Sequence, residues 1–296
     1  RQLTNYLYFC NKEYFMPTKR TNKLVIPFVK WVGGKRQIIS EIQNLLPKKI
    51  TSYYEPFIGG GAVLFHIQPQ RATINDLNAE LINLYRVIKE QPSALIKDLS
   101  KHKNEAEYFY QIRSLDRDKE QYSQLTEVER ASRIIYLNKT CYNGLFRVNN
   151  AGEFNTPFGR YKEPNIINEI TIKAVSSYLN QAHVSILQGD FEASLQDIPH
   201  NAFVYFDPPY DPVSDSASFT GYTQGGFNRQ EQIRLKRICD ELNEKDIKFL
   251  LSNSCTDFIL DLYRDYQINK IKANRFINSN AEKRGMVSEV LIRNYE

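Results

Sequence analysis

With 296 residues, 42% of them hydrophobic and 25% charged, the chain has the size and balance of one or two globular domains with a sizeable core. No apolar run approaches the roughly 18 residues that span a bilayer, and Arg1 to Lys23 have no apolar signal-peptide centre; a membrane protein is not expected, and a cytoplasmic one is. The net charge of +5 is compatible with a nucleic-acid partner without requiring one.

Residues 1–26 read as an arm. The apolar spacing of residues 36–46 predicts a helix that Pro47 ends. Tyr53-Tyr54-Glu55 is a short strand running into Gly59-Gly60-Gly61, and Ala72 to Asn75 is another. Leu77, Leu81, Leu84, Tyr85 and Ile88 then recur at helical period. From about 92 to 182 helices and charge dominate. Thr126 and Glu129 form a capping box ahead of Val128, Ala131, Ile134 and Ile135, and Asn143-Gly144 is a stop. Residues 145–161 predict a hairpin turning at Asn150-Ala151-Gly152. Strand patterns return at Val184 to Leu187, Ala202 to Phe206, Lys248 to Leu251, Tyr266 to Ile271 and Val287 to Ile292, with a helix over 229–245. The last of these runs is expected at the sheet edge or between late strands. Strands and helices alternating at both ends predict one mainly parallel, Rossmann-like α/β sheet. It would be built from 27–91 and 183–296, with 92–182 as a mostly helical insertion carrying the hairpin.

Two motifs carry chemistry. In Glu55-Pro56-Phe57-Ile58-Gly59-Gly60-Gly61, followed by Asp76, glycines let the backbone approach a ligand and the acid can bind ribose hydroxyls. A dinucleotide turn needs a third glycine, and Leu64 stands in its place. The turn therefore suits a nucleoside without phosphates, such as S-adenosylmethionine; a plain strand–helix turn has the same appearance. The second motif, Asp207-Pro208-Pro209-Tyr210, ends the apolar strand Phe203-Val204-Tyr205-Phe206. A carboxylate there points into the ligand crevice of a parallel sheet. The Asp207 carboxylate and the Pro208 carbonyl can each accept one hydrogen of an exocyclic amine, and Tyr210 can stack on a base, worth roughly 1–3 kcal/mol.

Three weaker signals surround them. Trp31, the sole tryptophan, lies between Lys30 and Lys35 with Gly33-Gly34, and can pack on a cofactor. The hairpin region interleaves Arg147, Arg160 and Lys162 with Tyr142, Phe146, Phe158 and Tyr161, as a ribbon reading the major groove does. The loop 211–228 can close over a bound base, and residues 274–285 bring Arg275, Lys283 and Arg284 for phosphates. A helix entry, an ordinary basic hairpin and surface loops explain the same residues. Cys10, Cys141, Cys239 and Cys255 have no CxxC spacing, and with four dispersed histidines no metal site is expected.

KWVGGK, EPFIGGG, INDLN, the insertion and DPPY occur in one order, and in this the chain resembles the Dam-like family of DNA adenine-N6 methyltransferases from about residue 27 onward. That family includes restriction-modification members acting at GATC. The resemblance implies a methyl transfer from S-adenosylmethionine to adenine N6, with no metal. It implies cofactor contacts from Trp31, Lys35, Glu55, Phe57, Gly59, Gly61, Asp76, Asp190, Phe191 and Asp207, and catalytic roles for Asp207, Pro208 and Tyr210. It makes 92–182 a target-recognition domain, with Lys30, Tyr142, Asn143, Leu145, Arg147 and Pro157 on DNA. The implied partner is double-stranded DNA containing GATC, with single-stranded DNA a second form left open. Pairing with a restriction endonuclease would be functional, without a stable complex. A cytosine-N4 or RNA-base methyltransferase, or a non-catalytic DNA-binding protein with a relic cofactor fold, stays as the alternative. A glutamine amide in a protein is disfavoured by the basic charge and the hairpin, and a nicotinamide oxidoreductase by Leu64.

Overall fold

A computed structural model describes residues 21–213, 226–274 and 286–296. Most of the N-terminal arm, most of the loop 211–228, the basic stretch with Arg275, Lys283 and Arg284, and Cys10 lie outside the described residues. After a 3-10 turn at Lys35–Gln37 come α1 (Ile39–Leu45), β1 (Ser52–Glu55), α2 (Ala62–Ile67), β2 (Arg71–Asp76) and α3 (Ala79–Glu90). Five helices follow: α4 (Pro92–Leu99), α5 (Ala106–Ser114), α6 (Lys119–Ser123), α7 (Glu127–Thr140) and α8 (Glu169–Gln181). The chain then forms β3 (His183–Gln188), β4 (Ala202–Phe206), α9 (Arg229–Glu244), β5 (Lys248–Ser254), α10 (Asp257–Leu262), β6 (Gln267–Asn274) and β7 (Met286–Arg293).

The seven strands lie in the order β3-β2-β1-β4-β5-β7-β6. β1 to β5 are mutually parallel, and β7 inserts antiparallel between β5 and β6. The final strand thus lies between late strands, one of the two places its position predicted. The chain winds outward from β1 in one direction and from β4 in the other, so the crevice between their carboxyl ends is where a ligand enters such a sheet.

Side-chain alternation explains why helices cover both faces. Along β4 every residue is buried. Phe203 and Tyr205 join the core on one face, while Ala202, Val204 and Phe206 join the other. A strand buried on both sides reads as continuous apolar sequence, as this one does. The first core takes in α3, α7 and α8, and the second takes in α9 and α10. Burial of each large apolar side chain contributes about 1.5–3 kcal/mol.

The helical stretch between β2 and β3 begins with α3, whose N-cap Asn78 accepts from the Leu81 N–H at 3.0 Å. Leu77 is not on that helix: it precedes the cap and is exposed. Asn78 ends the extended segment and claims the first turn, so the apolar period starts at Leu81. The Thr126 capping box of α7 is formed in both directions. Phe109, Ile134 and Leu137 of this stretch share one continuous core with Tyr53 and Ile74 of the sheet. The predicted hairpin is reduced to a short antiparallel pairing, in which the Asn149 N–H donates to the Glu153 carbonyl at 2.9 Å and the Asn155 N–H to the Arg147 carbonyl at 3.0 Å. Residues 141–159 form a loop closed by two isolated antiparallel bridges, Cys141 with Phe158 and Val148 with Phe154. Its turn is held by the Asn149 side chain, which accepts from the N–H groups of Ala151 and Glu153. An Asx-type turn of this kind adds local side-chain hydrogen bonds to the backbone pairing.

No helix among the described residues is long and apolar enough to cross a membrane.

Candidate active site

The carboxyl ends of the parallel strands converge on one crevice. β1 delivers Glu55 and the glycine turn. Gly59 and Gly61 have φ of +47° and +70°, a region that glycine enters freely. The Gly59 carbonyl accepts from the Tyr85 hydroxyl at 3.0 Å. The Trp31 ring covers Gly59 so closely that a Cβ there would meet it at 3.1 Å, and the Trp31 Cβ packs over Gly60. Leu64, where a dinucleotide turn would have glycine, is fully buried. At the end of β2, Asp76 accepts from the Gly59 N–H at 3.0 Å through one oxygen and from the Asn78 N–H at 2.9 Å through the other. Burial raises its carboxyl above the ordinary value, against the pull of these donors. Each oxygen keeps a lone pair for a further donor such as a ribose hydroxyl.

Beyond β3, Asp190 pairs with Arg234 of α9. Burial works to raise its carboxyl, but the Arg234 hydrogen bond and charge hold it below the usual value. Phe191 stacks on Phe57 with ring centroids 5.1 Å apart, and Phe227 meets Phe57 edge-on. The glycine turn, Asp76, Asp190 and the aromatic pair therefore line one end of the crevice. A nucleoside donor fits this cradle, which offers close backbone, carboxylates and ring faces and no phosphate-binding glycine.

The other end is built around Asp207, at the exit of β4. Lys35, only 5% exposed, places its ammonium 2.7 Å from Asp207 Oδ1. The Ser252 hydroxyl of β5 donates to the same oxygen at 3.0 Å. Among the described residues no hydrogen bond or ion pair to Oδ2 is seen, and the side chain is 20% exposed. Lys35 also sits 4.7 Å above the centre of the Tyr210 ring. Tyr210 donates to Glu289 of β7 at 3.1 Å. Burial raises the Asp207 carboxyl, with Lys35 and Ser252 working against it. Burial likewise pushes Glu55 well above the carboxylate range, the Tyr53 hydrogen bond opposing this and the Asp207 charge adding to it.

The backbone after Asp207 is braced from below. Gln232 of α9 donates to the Pro209 carbonyl at 2.9 Å, and Asn253 accepts from the Asp211 N–H at 3.1 Å. Asp211 is buried and accepts from Thr256 at 2.7 Å and from Arg229 at 3.2 Å. The two prolines limit the turn's own freedom, and these contacts set its height over β5.

The predicted DNA-facing residues also come together. Lys30 exchanges two 2.8 Å hydrogen bonds with the Asn138 side chain of α7, which also donates to the Gly144 carbonyl at 3.0 Å. Tyr142, 57% exposed, donates its N–H to the Pro157 carbonyl at 2.8 Å. Asn143 adopts φ +56° and is exposed. Arg147 is exposed and donates to the Asn155 side chain at 2.6 Å. Leu145 is half-buried, and its carbonyl accepts from Thr156 at 2.6 Å. Phe146 stacks on Trp31 at 4.4 Å, so this loop touches the cover of the glycine turn. Buried Asp116 accepts from the Phe154 N–H at 2.8 Å and pairs with Arg133 of α7.

A sequence model of the D12 class of N6 adenine-specific DNA methyltransferases matches residues 31–277. The chain belongs to that family. It is 45% identical over 271 residues to the type II methyltransferase M1.LlaDCHI of Lactococcus lactis, covering 91% of this chain and 95% of that protein. It is 43% identical over 291 residues to the type II methyltransferase M.MjaIII of Methanocaldococcus jannaschii, covering 92% and 99%. With the DNA adenine methylase of Escherichia coli K12 it shares 34% over 269 residues, covering 89% and 93%. The family membership makes this D12-class methyltransferase an enzyme, with S-adenosylmethionine the donor its class uses.

Sequence reading singled out none of several further site residues, though Asn75 stands inside INDLN. Asn75 is buried and donates to the carbonyls of Pro56 and Gly189, bracing the ends of β1 and β3. Tyr85 sits in the amphipathic period of α3, and Ser252, Asn253 and Glu289 lie on strands far along the chain. The glycine turn yields a stability prediction. A Cβ on Gly61 would lie 2.5 Å from the Tyr85 hydroxyl and 2.9 Å from the Phe65 ring, whereas one on Gly152, with φ +79°, would meet nothing within 4 Å. Gly152→Ala should cost about 1–2 kcal/mol from backbone strain alone. Gly61→Ala should cost more, by about 1–3 kcal/mol of overpacking. Urea unfolding checks both, and equal midpoints for the two variants would contradict this packing.

Proposed function

We propose that the protein is a site-specific DNA methyltransferase that methylates adenine N6 within GATC in duplex DNA, as the protective half of a restriction-modification pair. The observation that carries the reading is Asp207, an ion-paired carboxylate at the switch-point crevice, with Oδ2 open, Pro208 following it and Tyr210 alongside.

The chemistry that geometry serves is amine activation. The N6 lone pair of adenine is delocalised into the ring and is a poor nucleophile. Asp207 Oδ2 and the Pro208 carbonyl would each accept one N6 hydrogen, and so localise the lone pair on nitrogen. Tyr210, held by Glu289, would stack on the base. S-adenosylmethionine supplies a methyl group activated by a sulfonium charge, and Trp31, Phe57, Gly59, Gly61, Asp76, Asp190 and Phe191 are the residues proposed to hold it. As bonding shifts, positive charge grows on N6, next to the Asp207 carboxylate, which stabilises it at no cost of reorganisation. The carboxylate can then take the N6 proton. None of these steps uses a metal.

A base inside the duplex is out of reach of Asp207. The adenine must therefore leave the stack, at a cost of a few kcal/mol. Lys30, Tyr142, Asn143, Leu145, Arg147 and Pro157 would grip the DNA around it. Arg147 is suited to bidentate reading of a guanine, since an exposed guanidinium matches its O6 and N7. The restriction setting is supported by the type II names of two relatives. Single-stranded DNA remains a substrate to be compared, and no stable complex with an endonuclease is required.

Labelled methyl transfer to two duplexes, one with GATC and one with the site scrambled, tests the assignment. N6-methyladenine from the GATC duplex alone is the expected product. Equal labelling of both would remove the site assignment, and label in N4-methylcytosine would favour the cytosine reading. Arg147→Ala should relax the choice at one guanine by about 1–3 kcal/mol. A uniform loss of affinity over all sequences would make Arg147 a phosphate contact instead.

A further inference from the structure

Lys35 was expected beside the cofactor, yet its contacts in the structure are to the chemistry end of the crevice. Its ammonium meets Asp207 Oδ1, the Gly33 carbonyl and the face of Tyr210. The backbone preceding it explains the reach. Gly33 has φ +76°, and the Gly34 N–H closes a turn on the Trp31 carbonyl at 3.3 Å. Lys35 then opens the 3-10 turn and is the one residue of that turn that is buried.

We infer that Lys35 is a positioning residue for methyl transfer: its ammonium holds the Asp207 carboxylate by Oδ1, as an anion, and leaves Oδ2 for the amine. The inference rests on the acceptor reading of Asp207 given above. Two observations favour it. Lys35 and Ser252 converge on one oxygen from opposite elements, the turn before α1 and the middle of β5, and so fix the rotation of the carboxylate. The surroundings also make an unassisted anion costly. The titratable groups around Asp207 are Glu55 from β1, Tyr205 from β4, Tyr210 beyond it and, through Tyr210, Glu289 from β7. None of them is a cation. Lys35 is the only positive charge among the described residues facing the carboxylate. A buried carboxyl without such a partner takes up a proton, and a neutral acid stabilises growing positive charge far less than an anion does.

The sign of the effect is fixed. Burial raises the Asp207 carboxyl and Lys35 lowers it. Burial already outweighs the lysine, and removing it raises the carboxyl further, so the anion forms only at still higher pH. Single-turnover methyl transfer from preformed enzyme–donor–duplex complexes, measured against pH, reads this directly. Lys35→Met should transfer at least about tenfold more slowly at neutral pH. Its acid limb should lie about one pH unit or more above that of the wild type, one unit being a factor of ten. The rate should recover as pH rises. Lys35→Arg keeps the charge and should keep the limb near its native position.

A readout without donor or DNA accompanies it. The Asp207 side-chain carbon, assigned by its loss in Asp207→Asn, should titrate at higher pH in Lys35→Met than in the wild type. If Lys35→Met does not fold, Lys35→Gln replaces it. Ser252→Ala, which removes only the second contact to Oδ1, must then move the limb the same way by a smaller amount. An acid limb and an Asp207 titration that both stay in place, with only the affinity for S-adenosylmethionine reduced, would overturn the inference and leave Lys35 a cofactor contact. Near-normal single-turnover transfer by Asp207→Asn would instead overturn the acceptor reading on which it rests.

Discussion

The crevice is organised around one buried ion pair, Lys35 on Asp207 at the exit of β4. An anion at the end of a parallel strand, walled by Tyr205, Tyr210 and a second carboxyl from Glu55, would by itself be unstable. A buried ion pair offsets that desolvation only when its geometry is good and its other lone pairs are satisfied. Lys35 and Ser252 satisfy Oδ1, while Oδ2 has no hydrogen bond or ion pair among the described residues. Such a pair is poor evidence of stability and good evidence of a task, because an apolar pair of the same volume would fold at least as well. The task we propose for it is to present the second oxygen, charged and fixed, at the mouth of the crevice.

The elements around that carboxylate form one connected frame. Trp31 lies over the glycine turn and stacks on Phe146, so the segment before α1 touches both the cofactor end and the loop 141–159. Asn138 fastens the same segment to α7 through both polar groups of the Lys30 backbone. Asn75 ties the turn after β1 to the turn after β3. Each brace is a polar side chain buried for its backbone contacts, and losing any one would strand those groups at a cost of about 1–3 kcal/mol each. The glycine turn, the Asp207 site and the loop 141–159 are therefore set against one another by short, specific contacts. This is the preorganisation that a transfer between two bound substrates needs.

How much of this was legible in the chain differs by the range of the interactions. β4 could be read because five consecutive buried residues leave no polar alternation, and Asp207-Pro208 ends it in a way few loops do. The capping box of α7 and the glycine turn are local patterns with local causes, and they form as expected. Leu77 was misplaced because apolar spacing alone ignores the cap that Asn78 provides. The hairpin was over-read: alternating aromatics suggested strands, but the chain pairs only through isolated bridges, Asn149 supports the turn with side-chain bonds, and Asp116 and Arg133 hold the loop from outside it. The braces at Asn75, Ser252, Gln232, Asn253 and Glu289 stayed hidden, because each works on a partner 19 or more residues away. Lys35 shows the same limit in a sharper form. The motif marks it as functional, yet only the fold shows that its charge lies on Asp207.

The most direct measurement compares wild type and Asp207→Ala in single-turnover methyl transfer to a GATC duplex, with the affinities for S-adenosylmethionine and DNA determined on the same samples. An amine acceptor that acts in the transition state predicts loss of transfer with DNA binding largely intact. Transfer at a near-normal rate, or a loss that follows DNA affinity alone, would contradict it.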